Sequence, residues 1–144
     1  MLIGNYSAVL SDARRVAVPK KFTAELGDKP ILAMWYEDCL ILVQNSFWKT
    51  LSNSLVGTRN KDFGVREIER FVLGSAFETE PDEQGRIIIP ESLSKYANFQ
   101  KELIFLGLFD RVEIWSKSVW EERQKELQKV TKEYIDNLMK NDIK

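Results

Sequence analysis

The feature that most constrains this chain is that it is written twice. Residues 11–22, SDARRVAVPKKF, align on residues 82–93, DEQGRIIIPESL, when their prolines are superposed. Arg15 then falls on Arg86, Val16 on Ile87, Val18 on Ile89 and Phe22 on Leu93. Further on, KPILAMWYEDCLILV (29–43) aligns without gaps on KELIFLGLFDRVEIW (101–115), and SFWKTL (46–51) lies over SVWEER (118–123). The offset is 71 around the prolines and 72 afterwards, which puts the division between halves in the region 58–74. Two units are too few for a solenoid. They make a pseudo-symmetric domain in which each half covers the apolar face that its twin exposes. A length of 144 residues suits one ordinary domain, or two very small ones sharing a core.

Each half carries the same local signals. A short β-branched run, VAV (16–18) or III (87–89), is followed at once by proline. Proline has no N–H to continue a central strand, but it fits the first turn of a helix. PKKFTAEL and PESLSKYA therefore read as short helices. Two strands per half follow, ILAMWY with CLILV and ELIFLGL with VEIW, turned at Glu37-Asp38 and Phe109-Asp110. Ser46 and Ser118 are candidate N-caps for helices after them. Between the halves, Val65, Ile68, Phe71 and Val72 have helical spacing, with Gly74 as a stop. From Ser118 onward, Trp120, Leu127, Val130, Tyr134 and Leu138 form one stripe, the pattern of core packing or a seam with a partner subunit. The resulting division is 1–57 for the first half, 58–74 for a helical connector, 75–116 for the second half and 117–144 for a C-terminal amphipathic helix.

Enzyme chemistry finds little support. Histidine is absent, which removes the commonest general base and metal ligand. The single cysteine, Cys39, lies inside the apolar run CLILV and reads as a buried core thiol, unable to form an internal disulfide. The acidic run 78–83, ETEPDE, reads as a solvated turn, and Gly85 stands without a phosphate-binding glycine loop. No cofactor, metal or small-molecule ligand is expected. MLIGNYSAVL lacks the basic lead of a cleavable signal, and no apolar run approaches the ~20 residues that span a bilayer. A cytoplasmic protein without a membrane partner is the expectation.

The repeated turn is where chemistry concentrates. In DEQGR, Asp82 precedes Arg86 by four residues across Gly85, a residue able to take positive φ and reverse the chain. Asp82 can bond the turn amides or face the guanidinium, aiming Arg86. An arginine so held presents a planar fork suited to phosphates or guanine edges. The first copy supplies Arg14 and Arg15, with Lys20 and Lys21 one helical turn further on. Residues 11–22 hold four basic side chains against one acidic, a local +3, whereas residues 78–91 hold one basic against five acidic, a local −4. Formal net charge is −1 and the pI is near 5.6, against the usual basic footprint of a nucleic-acid binder. Spacing and composition alone leave a structural turn and a nucleic-acid contact equally open.

These residues carry a resemblance. The order of elements from LIGNYSAVL to about Trp120, and above all DEQGR followed by IIIP and the run ELIFLGLFDRVEIW, resembles the MraZ proteins, bacterial regulators related to AbrB-type transition-state factors. The resemblance implies an α+β fold, a pseudo-twofold swapped-hairpin AbrB-like β-barrel of two repeated halves with flanking helices and a C-terminal helix. It also implies ring-shaped homo-oligomers that bind short direct repeats in double-stranded DNA upstream of the division and cell-wall gene cluster, and so a nucleoid-associated regulator. In that family an Asp-x-x-x-Arg turn in each half presents its arginine to DNA. Asp82 and Arg86 match in full, and Arg15 matches in the first copy. There the aspartate position holds Ser11, with Asp12 one place late, and the glycine position holds Arg14. Either Asp12 takes over through a shifted turn, or the first loop is looser and more basic.

Several expectations follow from the resemblance and the repeat together. Arg15 and Arg86 must share one exposed face, supported by Ser11, Asp12, Asp82 and Gly85 and joined by Arg14, Lys20 and Lys21. Arg59 and Lys61 are further candidates for DNA or for plain solvent. Val16 and Ile88 read as interior strand positions where aspartate would damage the fold. An interaction protein whose acidic second turn and C-terminal helix engage a partner, as an antitoxin does, remains the alternative of another class.

Overall fold

The structure, a computed structural model, describes residues 1–56 and 62–143. Two three-residue strands hold the repeated motif. β2 (Arg15–Ala17) and β6 (Arg86–Ile88) form an antiparallel ribbon of their own. Each ends at a proline, Pro19 with φ −53° and Pro90 with φ −57°. The ladder runs on to Val18 N with Gly85 O and Ile89 N with Arg14 O, where the facing turns end it, and the fixed proline φ opens α1 (Lys20–Leu26) and α4 (Glu91–Tyr96). Register puts Val16 opposite Ile87, with Arg15 opposite Ile88 and Ala17 opposite Arg86. Since Arg15 is the repeat of Arg86, and Ala17 of Ile88, a pseudo-twofold axis passes between Val16 and Ile87.

The remaining strands make one antiparallel sheet in the order β1-β7-β8-β4-β3-β5. They are β1 (Leu2–Val9), β3 (Ile31–Met34), β4 (Leu40–Val43), β5 (Phe77–Glu78), β7 (Glu102–Phe109) and β8 (Val112–Ser116). The hairpins β3–β4 and β7–β8 meet at the β4–β8 pair, where Ile41 faces Glu113 on the same pseudo-axis. The first strand of each half crosses to the other: β1 pairs with β7, and β5 with β3. β1 and β5 were not foreseen as strands in the sequence. The fold is thus α+β with antiparallel sheets, five helices among the described residues and a helix at the C-terminal end. A closed barrel does not form among those residues: β2 and β6 stand as a two-stranded ribbon apart from the six-stranded sheet.

The gapless alignment of 29–43 on 101–115 needs one correction. Leu42 faces Leu32, whereas its repeat Ile114 faces Phe105. The strands β3 and β7 therefore correspond at an offset of 73, and a β3–β4 turn one residue longer restores 72 in β4 and β8. A one-residue slip exchanges the two faces of a strand, and burial confirms the shifted register. Leu32, Leu103 and Phe105 point inward, while Ile31, Ala33 and Ile104 lie on the opposite face.

The main core lies between ribbon and sheet. Val16, Val18, Ile87 and Ile89 descend from the ribbon, with Phe22 and Leu26 of α1 and Leu93 of α4, onto Leu32, Leu40, Leu42, Phe105 and Ile114. On the sheet's other face, α2 (Asn45–Val56) covers Ile41 and Val43 through Phe47, Trp48 and Leu51. Cys39 is buried as expected, beside Ile104, Leu106 and Trp115 under Trp120. α3 (Phe63–Val72) starts where Asp62 Oδ1 accepts from Val65 N at 2.9 Å. Ser46 and Ser118 are not caps: α2 already begins at Asn45, and α5 (Lys117–Ile143) at Lys117.

Of the two packings expected of α5, core packing is found only at its beginning. Among the described residues its first turns meet the body, through Val119 and Trp120 and through Arg123, whose guanidinium pairs with Glu37 at 2.7 Å. Beyond them Leu127 and Val130 are each 37% exposed, Tyr134 65% and Leu138 63%. The stripe is not core. Among the described residues, no helix is long and apolar enough to cross a membrane.

Candidate nucleic-acid interface

Both turns close with the same backbone hydrogen bonds. In the second, Gly85 N donates to Asp82 O at 2.9 Å and Asp82 N to Arg86 O at 3.0 Å; in the first, Arg14 N donates to Ser11 O and Ser11 N to Arg15 O, each at 2.9 Å. The first turn is neither shifted nor looser, and Asp12 takes no part in its closure. Ser11 Oγ accepts from Arg15 N at 3.1 Å, doing with one lone pair what Asp82 Oδ1 does for Arg86 N at 2.9 Å. Arg14 occupies the glycine position with φ +59°, against +75° at Gly85. A left-handed backbone costs an L-residue about 1–2 kcal/mol, so the first turn keeps its form against a local penalty.

The halves differ in what they do with the arginine. Asp82 Oδ1 also accepts from Gln84 N at 2.9 Å, and Oδ2 takes Arg86 Nε at 2.8 Å. The Arg86 backbone N–H holds the Asp82 carboxyl below its ordinary value of 3.8, with the Arg86 side chain and the Gln84 amide adding to the effect. Arg86 is thereby aimed through Nε, and no described residue bonds its two terminal amino groups. Arg15 has no such partner. No ion pair ties Arg14, Arg15, Lys20 or Lys21 to a described residue, and all four are exposed. Lys20 repeats as Glu91, which pairs with Lys95 at 3.2 Å. Glu78 and Glu80 are likewise met by Lys29, at 3.7 and 3.8 Å. Much of the second copy's local −4 is therefore answered within the fold.

The ribbon brings Arg15 and Arg86 onto one face. Side chains alternate along a strand, so Val16 and Ile87, each 1% exposed, point into the core while Arg15, Ala17, Arg86 and Ile88 point away from it. The two arginines occupy diagonal positions, with Cα atoms roughly 7–8 Å apart in such a ladder. Ile88 corrects the expectation that it is interior: it is 49% exposed. Its repeat partner is Ala17, not Val16, and the alternation of buried Ile87 and Ile89 around it was the signal that located it. Arg59 and Lys61 lie outside the described residues.

Fold and site together define an internally duplicated ribbon-and-sheet protein that displays two turn-held arginines on a single face. A family model described as "MraZ protein, putative antitoxin-like" matches residues 72–141. Over 125 residues the chain is 41% identical to the transcriptional regulator MraZ of Caldanaerobacter subterraneus subsp. tengcongensis, covering 87% of each chain. It is 41% identical to that of Thermoanaerobacter pseudethanolicus, over 85% of each, and 38% identical to that of Clostridium acetobutylicum, over 85% of this chain and 86% of the relative. The chain belongs to the MraZ family.

Proposed function

We propose that this chain is a DNA-binding transcriptional regulator, without catalytic activity, whose DNA surface is the outer face of the β2–β6 ribbon. Arg15 and Arg86 make the principal contacts, Arg14, Lys20 and Lys21 draw in the phosphates, and Ser11, Asp82 and Gly85 shape the turns. The observation that carries the reading is the pairing of two turn-borne arginines on one exposed face, by a register that relates them through a pseudo-twofold. The names of its relatives support the same class.

On this reading residues 1–57 and 75–116 are two AbrB-like arms that complete one swapped-hairpin barrel, joined by 58–74 and extended by 117–144. The protein acts as a ring-shaped homo-oligomer on short direct repeats before the division and cell-wall gene cluster. Two considerations favour a ring. Net charge of −1 makes one subunit a weak phosphate binder at cellular salt, and several linked grips raise effective concentration without new contacts. The exposed stripe of α5 offers apolar surface for association.

Arg15→Ala and Arg86→Ala are each expected to weaken binding to the DNA upstream of this gene about tenfold or more, with a cooperative thermal transition retained in both and a small loss of stability only in Arg86→Ala, which gives up the contact to Asp82. A gel shift that neither substitution alters moves the DNA surface elsewhere and ends the proposal.

A further inference from the structure

The ribbon's outer face holds four side chains, two of which are apolar, and the larger, Ile88, does not belong to an electrostatic grip. Ile88 stands directly opposite Arg15 and is 49% exposed, on a strand whose neighbouring isoleucines are 1% and 0% exposed. Its register twin Ala17 stands opposite Arg86. A face meant only to hold phosphates has no use for a branched hydrocarbon between guanidiniums. A face that enters the major groove does. That groove, about 12 Å wide, admits a two-stranded β-ribbon, and thymine offers there a methyl group that apolar side chains contact. We infer that Ile88 is a specificity-determining residue that reads a thymine 5-methyl group in the major groove beside the base or phosphate held by Arg15.

This inference rests on the DNA-binding reading and deepens it. Because the repeat places Ala17 where Ile88 has its counterpart, the two arginines have unequal neighbours. Arg15 works beside a large apolar group and Arg86 beside a small one. The backbone is pseudo-symmetric, yet the surface has a direction. Such a ribbon distinguishes the two orientations of a non-palindromic site, the property needed to read repeats that all point one way.

The test uses full-length protein and two versions of the duplex upstream of its gene, one natural and one with deoxyuridine in place of every thymine. Deoxyuridine pairs as thymine does but lacks the methyl. Wild type is expected to bind the deoxyuridine duplex about fourfold or more weakly, the loss that follows when one methyl group leaves an apolar contact. Ile88→Ala should bind the natural duplex more weakly and lose most of that discrimination. Ile88→Thr, which keeps the β-branch and one methyl, should retain part of it. The exchange Ala17→Ile with Ile88→Ala should favour the inverted site. Equal discrimination by wild type and Ile88→Ala overturns the assignment, as does specific wild-type binding that ignores the methyl groups. An Ile88→Ala protein that merely falls to a smaller oligomer by native mass spectrometry, with methyl sensitivity intact, overturns it in favour of a subunit contact. Absence of specific binding to either duplex overturns both the assignment and the reading beneath it.

Discussion

Arg14 sits in a backbone conformation that its repeat fills with glycine. Replacing it by glycine removes a left-handed penalty of about 1–2 kcal/mol and adds back part of it as unfolded-chain entropy. Arg14→Gly is therefore expected to stabilise the fold by about 0.5–1 kcal/mol, read from denaturant midpoints. On the proposed DNA face it should also lower the salt dependence of binding by about one counterion. A variant that gains stability without losing affinity would separate Arg14 from the DNA. Asp82 gives a prediction in pH. Its folded pKa lies below 3.8, so its contribution to stability is complete above the unfolded value and disappears as pH falls through the lowered folded one. Wild type should lose stability below about pH 4 more steeply than Asp82→Asn, whose amide oxygen can still accept from the turn but does not titrate in this range. Parallel curves for the two proteins would mean that the Arg86 contact contributes nothing to the fold. Ser11 has no such dependence, so the acid-sensitive turn is the second one only.

At the scale of elements, β1 and β7 approach each other closely at Gly107. A Cβ at Gly107 would stand 2.6 Å from Ile3 N and 2.7 Å from the Leu2 carbonyl carbon, both backbone atoms that cannot turn aside. Gly107→Ala is expected to destabilise by about 1–3 kcal/mol, measured by equilibrium unfolding. The ribbon supplies a sharper contrast. Val16→Asp puts a carboxylate into the core between ribbon and sheet and should abolish a cooperative transition. Ile88→Asp points outward and should shift Tm by under about 2 °C. Both substitutions fall within motifs the repeat defines, yet strand alternation separates their fates. Where the alignment paired β3 with β7, the same alternation reveals the slip: the sequence permits either register, and only the ladder with β4 and β8 selects one. Tyr96 shows how far apart in the chain such selections are made. Its hydroxyl donates to Trp35 O at 2.5 Å and accepts from Asp38 N at 3.2 Å, tying α4 to the longer β3–β4 turn that compensates the slip.

At the scale of the molecule, α5 extends some 40 Å and buries only its beginning. Helices of this kind draw most of their stability from packing, and in the proposed ring the stripe from Leu127 to Leu138 is the surface that a second chain covers. The triple substitution Leu127→Gln, Tyr134→Gln and Leu138→Gln should lower the mass of the assembly in native mass spectrometry while far-UV circular dichroism retains the sheet. If the proposed ring acts by multiple grips, the same variant should lose roughly 10²-fold in affinity for DNA carrying several repeats and nothing for DNA carrying one. Equal loss on both would mean that α5 acts at the DNA itself.

The sequence by itself determined the duplication, the proline-terminated strands and the arginine turns. Those signals are local: a proline without N–H, a glycine able to take positive φ and an aspartate four residues from an arginine act within one turn of chain. Cys39 was legible for the same reason, as one member of an unbroken apolar run. Tertiary structure decided the rest. It exchanged β1 and β5 between halves, because a half-length sheet leaves an apolar face that only its twin can cover. It slipped β3 by one residue against the gapless alignment, since the core accepts Leu32 and not Ile31. It put Ile88 in solvent, left the tail's stripe bare, and kept the first turn closed on Ser11 with Arg14 in a left-handed conformation. The exchanged strands and the outward Ile88 depend on which strand lies alongside, a choice made between residues 45 to 107 positions apart, where no short-range preference reaches.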